Sequence, residues 1–188
     1  MSSISGLSAA QISKLSTSFV QNLTTDQLQE LKTTQISALS TSGVAVLSTT
    51  QIGALSSTQL KALTGNQVKA LTTDQITFLA TGQVAFTSSQ LSVLLTAQLE
   101  AFSTTAIAAL DTTQLSGLTA SEISHLTTDQ FAALTSTQVG KFSTAQIRGL
   151  TTDEVASLTT TQLGALDTNQ LNALSTNALA ALNSTQVA

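Results

Sequence analysis

"LTTDQ" stands at Leu23–Gln27, again at Leu71–Gln75 and again at Leu126–Gln130. Near copies such as "LSTTQ" at Leu47–Gln51 and "LTTTQ" at Leu158–Gln162 fill much of the chain between. Written as eight positions a to h from Leu7, position a falls on every eighth residue to Leu79. After one missing residue it resumes at Phe86 and continues to Leu182. The 23 octads carry Leu at a 20 times and Phe 3 times, and f is apolar in all 23. Position e is Gln in 17, and b is Ser, Thr, Asp or Asn in 20, the exceptions being Lys32, Ala80 and Leu95. The consensus is L-S/T-T-x-Q-I/L/V-x-A. It covers the whole chain and predicts a single repeat domain over residues 1–188, irregular near 79–86.

Eight residues cannot continue as one straight helix with a constant apolar face. Each octad would rotate the apolar stripe by about 80°, and supercoiled helices need repeats of seven or eleven. The helix must therefore break once per octad. Positions b and e supply the break, because Ser/Thr-x-x-Gln is a capping box. Its hydroxyl accepts from the backbone N–H at e, and its Gln reaches back to the N–H at b. Asp at d (Asp26, Asp74, Asp129, Asp153) then lies in the first helical turn, where the macrodipole favours negative charge. The expected element is a short helix from c to the next a, with b as its N-cap.

Helices this short are marginal alone and must be held by neighbours. That is the logic of an all-α solenoid, one short capped helix per repeat. A β-solenoid is the rival, since Thr, Ile and Val suit strands. Leu, Ala and Gln prefer helix, and the three-residue spacing from f to the next a is helical. A rhythm at f indicates three helices per solenoid turn, with four as the alternative. Val20, Val44, Val68, Leu91, Leu115, Val139, Leu163 and Val187 mark every third octad, and Ile never appears among them. With layers spaced about 8–10 Å the result is a rod about 60–80 Å long.

On the helical map f, the next a and h share the buried side, with e inside that arc. All 16 charged residues avoid a, f and c. Burial explains the first two exclusions; it does not explain the third. A buried Gln column needs partners; the capping box provides some, and stacked Gln side chains from neighbouring turns are expected to provide the rest. A Gln83→Leu or Gln138→Leu change should therefore destabilise the fold. The missing residue before Phe86 is expected to make a local kink or tightened corner, filled by Phe78 and Phe86.

Composition narrows the function. The net charge of −4, without a basic patch, argues against nucleic acid. The absence of cysteine removes disulfides, thiolate metal sites and cysteine nucleophiles. No apolar run is long enough to insert in a membrane, and "MSSISGLSAAQISKLS" is not a classical signal peptide. His125, the only histidine, sits at h as a tolerated substitution. Glu122 and Glu154 replace Gln at e and can still close a box; Asp111 and Asp167 serve as N-caps. The pattern predicts no enzyme and no catalytic, cofactor-binding or metal residue.

The text around Ala54–Leu55 with Ser56, Ser57, Thr58, Gln59 and Leu60, and around Ala165–Leu166 with Asp167, Thr168, Asn169, Gln170 and Leu171, resembles the A-L-S/T-T-x-Q-I/V tandem repeats of large bacterial proteins. Phe19 and Gly43 at e depart from it. The resemblance implies a repeat region of a secreted or surface protein and an extracellular location. It implies no catalytic residue. The expected function is a structural or interaction module: a rod-like spacer, stalk or self-associating scaffold. Its partner would be another copy, end to end, or another protein. Lys14, Asn22 and Glu30 at h mark residues 1–30 as an N-terminal cap. The alternative is ice or glycan binding through a solvent-facing Thr array at c.

Overall fold

The computed structural model describes residues 4–81 and 85–186. Among them the chain is all-helical: one 3-10 turn, Ile4–Gly6, followed by 21 short α-helices, with no strand. All but one of the α-helices have four to six residues. They start at c, after a b residue in extended conformation (Thr24 φ −75°, ψ 160°). The box closes as its chemistry requires. Gln27 N donates to Thr24 Oγ1 at 3.2 Å, and Thr24 N donates to Gln27 Oε1 at 2.9 Å. Asp111 and Asp167 cap through Oδ1, at 2.7 and 2.8 Å. Where e carries no side-chain oxygen, as at Phe19, Gly43, Ala106 and Ala178, only the b hydroxyl half forms. Lys32 and Leu95 have no oxygen to offer, so only the Gln half forms.

The helices end earlier than the sequence suggests. They stop between f and h, and the a residue is not helical but extended, with φ −61° and ψ 137° at Leu71. The a N–H instead donates to the f carbonyl three residues back: Leu31 to Leu28, Leu39 to Ile36, Leu71 to Val68. This tightens the last turn to 3-10 geometry and satisfies one otherwise orphaned carbonyl. Two extended residues, a and b, then form each corner. No described residue has positive φ, so no corner needs a left-handed glycine. Ala80 is the informative failure. It lies at b and offers no capping oxygen, and the helix Thr73–Thr81 runs straight through it for nine residues. Gln83, in the same octad, lies outside the described residues.

Each octad packs against the third octad onward: Thr41–Ala45 on Gly65–Ala70, Thr128–Ala132 on Thr152–Ser157, Thr144–Arg148 on Thr168–Ala173. Three octads, 24 residues, therefore make one tier. The f and a side chains of successive tiers merge into one continuous core, from Ile4 to Ala178. The missing residue shortens one tier without breaking register. The expected filling of that corner needs correction for one residue. Phe86 is buried against Phe102, ring centroids 6.2 Å apart. Phe78 instead lies on the outside, 46% exposed, across Gly53 of the tier below.

Candidate functional surfaces

The Gln column is buried, and its partners are not other Gln side chains. From Gln35 onward each described Gln at e spans two tiers. Gln67 Oε1 accepts from Thr64 N at 2.7 Å. Its Nε2 donates to Leu39 O at 2.7 Å and Ile36 O at 2.8 Å, one tier below. The same pattern joins Gln75 to Leu47 and Val44, Gln138 to Leu110 and Ile107, and Gln146 to Leu118 and Leu115. The amide thus starts one helix and satisfies the corner carbonyls that end another. Stacking amide on amide would leave the a carbonyls bare in the core, at a cost of roughly 1–3 kcal/mol each. The offset is 28 residues along most of the chain and 27 at Gln90 and Gln98, where the missing residue is absorbed.

This bond makes the two faces of a tier unlike. The lower face presents Gln amides. The upper face presents f side chains and the carbonyls of a. In the first tier Gln11 is exposed and Gln27 half-buried, while Ile12, Val20 and Leu28 at f are at most 1% exposed beneath the next tier. The last tier is the reverse: Gln162 and Gln170 are buried, and Leu171 and Leu179 at f are 37% and 45% exposed.

A second contact lies at the tier edge, where h of one tier rests on c and g of the tier below. A Cβ on Gly117 (h) would come 2.2 Å from Ser88 O (c), and one on Gly149 (h) would come 2.5 Å from Ala120 Cβ (c). A Cβ on Gly65 (c) would meet Val93 (h) at 3.5 Å. Small residues at h follow from this. So does the charge-free c column, because a long chain there would lie under the helix above. In the first tier Lys14, Asn22 and Glu30 at h are all exposed, and from Ala38 onward most h residues are half-buried. Most Thr at c remain exposed, beside this edge.

The remaining singled-out residues stay apart. His125 is exposed and its Nδ1 bonds to Ser121 O on its own octad. Glu122 and Glu154 close boxes on Thr119 and Thr151, each 2.7 Å from the backbone N–H. Among the described residues no three His, Cys, Asp or Glu come together as a metal site. No described helix is long and apolar enough to cross a membrane. An open cleft of about 600 Å³ lies at the shortened tier, between Lys61, Phe86 and Asp111. Sequence periodicity alone did not indicate it, since it arises where one tier has lost a residue.

A family model described as the ALTTAQ repeat matches residues 20–57, 107–144, 139–168 and 160–188, together nearly two thirds of the chain. No curated protein matches it.

Proposed function

The chain belongs to the ALTTAQ repeat family, and from that premise we propose that it is a non-catalytic structural module, a rod-like spacer or scaffold whose ends associate with other copies. In this reading residues 1–188 form one domain, with residues 1–30 as its N-terminal cap. The observation that carries the reading is the amide-to-carbonyl ladder, which runs from Gln35 on Leu7 to Gln186 on Leu158 and is interrupted where e is not Gln, as at Gly43, Ala106 and Glu154. A ladder that repeats one bond in every tier makes each tier interchangeable, and length becomes the adjustable property.

Small-angle scattering on the monomeric protein tests the shape on which this reading depends. A rod should show a maximal dimension of about 60–80 Å from its stacked layers. A compact domain of this length has a radius of gyration near 16 Å and spans about 40 Å. The shorter value would overturn the reading.

A further inference from the structure

We infer that two copies of the chain pair side by side, antiparallel, through one face of the stack. This goes beyond the structural-module reading by adding a lateral partner, and it uses only the stacked fold. Every third octad shares one column. In one of the three columns Thr33–Ile36 packs on Ser57–Lys61, Thr104–Ala109 on Thr128–Ala132, and Thr128–Ala132 on Thr152–Ser157. That column is divided by charge. Its first three octads, starting at Leu7, Leu31 and Leu55, carry Lys14, Lys32 and Lys61 and no acid. The next two, at Leu79 and Phe102, carry no charge. Those at Leu126 and Leu150 carry Asp129, Asp153 and Glu154 and no base. Glu154 is buried; the other five charged residues are exposed. The other two columns are not divided in this way. The column through Leu23 is acidic along most of its length, with Arg148 its one Lys or Arg, and the column through Leu15 alternates Lys69, Asp111 and Lys141.

The division selects the orientation. A twofold axis in the contact plane, perpendicular to the stack, turns the basic half of each copy onto the acidic half of the other. Such an interface is isologous and closes as a dimer. Parallel copies would instead set Lys on Lys and Asp on Asp. With the axis midway between the octads of Leu79 and Phe102, the octad of Leu31 lies on that of Leu150, and the octad of Leu55 on that of Leu126. Lys32 then faces Asp153 and Lys61 faces Asp129, each twice.

The axis leaves position along an octad unchanged, so b meets b and g meets g. Lys61 at g lies over the exposed Ala132 at g, and Asp129 is one helical turn away at d. Lys32 at b lies over Thr151 at b, two residues from Asp153. The outward positions c, d and g of these four octads hold only Ser, Thr and Ala besides the charges, which lets the faces approach. No pairing uses either end of the chain or the residues between Thr81 and Ala85. Four octads per copy, each about 14 Å long and spaced about 9 Å apart, cover about 1,000 Å² in all, the size of a weak, reversible interface. Exposed ion pairs are individually weak, so the charges here set register and orientation more than affinity.

The test is sedimentation velocity on the full chain and two double variants, Lys32→Glu/Lys61→Glu and Asp129→Lys/Asp153→Lys, with far-ultraviolet circular dichroism to check that both are folded. The first variant makes the face wholly acidic and the second wholly basic. The wild type should dimerise reversibly, and more weakly as salt rises from about 0.1 M to about 1 M, where the screening length falls from about 10 Å to about 3 Å. Each variant alone should be monomeric, and an equimolar mixture should give a one-to-one heterodimer. Asp129 and Asp153 also favour their helix starts, whereas Lys32→Glu/Lys61→Glu carries no such burden and must by itself lose the dimer. A wild type that stays monomeric at its solubility limit, an acidic variant that associates as the wild type does, or a mixture that stays monomeric would each overturn the inference. Scattering from the monomeric variants reports shape alone. An elongated monomer that never pairs would sink the inference and leave the rod reading standing.

Discussion

The amide nitrogen of Gln67 lies 2.7 Å from the carbonyl oxygen of Leu39, a residue 28 positions earlier and one tier below. The oxygen of the same amide accepts from Thr64 N at 2.7 Å. One side chain therefore begins a helix and secures the end of another. Gln suits this task because it carries donor and acceptor on one rigid plane.

Glu154 tests the donor half. It occupies e, is 3% exposed, and its Oε2 accepts from Thr151 N and Oγ1. Its Oε1 is buried without a partner, where a Gln would donate to the Ile123 and Leu126 carbonyls. Burial pushes its pKa above the ordinary range and Asp153 adds to this, against the Thr151 hydrogen bonds and His125, which lower it. The folded chain thus binds the proton more tightly than the unfolded chain. Stability is highest below the ordinary carboxylate range and falls as pH rises through the window up to the raised value. Glu154→Gln should remove that fall and stabilise the protein at neutral pH. Urea midpoints at about pH 4 and about pH 8 measure it, and equal pH slopes for wild type and variant would contradict the assignment.

The two boxes that lack a capping oxygen can be completed. Lys32→Thr and Leu95→Ser each supply the missing capping oxygen at an extended b position. Each should raise stability by about 0.5–1 kcal/mol, read as a higher urea midpoint with an unchanged slope. A lower midpoint in both would show that b does not cap.

The tier edge predicts opposite outcomes for two glycines. Gly117→Ala should destabilise by about 1–3 kcal/mol, because its Cβ would press on the Ser88 backbone carbonyl and force two tiers apart. Gly65→Ala meets only ordinary contact with Val93 and removes a flexible residue from a helix, so it should be neutral or stabilising. Thermal denaturation of the pair would decide; equal losses would refute the h-on-c contact.

Much of this architecture is legible from local pattern. The break at every octad, the Ser/Thr cap and its Gln partner follow from residues three apart, and Leu23 to Gln27 already contains them. The buried f and a columns follow from where charge is absent. The second bond of each Gln is not legible in the same way. Its acceptor lies 28 residues away, and identifying it requires knowing that three helices, not four, make a tier. The edge contact of h on c has the same origin, and so has the exposed position of Phe78 across Gly53. The early end of each helix was missed for a different reason. The residue at a is an apolar core residue whichever backbone conformation it adopts, so its hydrophobicity gives no sign of the corner. Ala80 could have been read correctly, because a b position without an oxygen cannot stop a helix.

The most direct test of the account is equilibrium urea unfolding of Gln67→Leu. Leu adds apolar surface to a residue that is 1% exposed, so hydrophobicity alone predicts a gain. The account predicts a loss of about 2–4 kcal/mol, since the change strands Thr64 N and Leu39 O in the core and leaves Ile36 O with the Leu39 N–H alone. An unchanged or higher midpoint would contradict the claim that the amide ladder holds the tiers together.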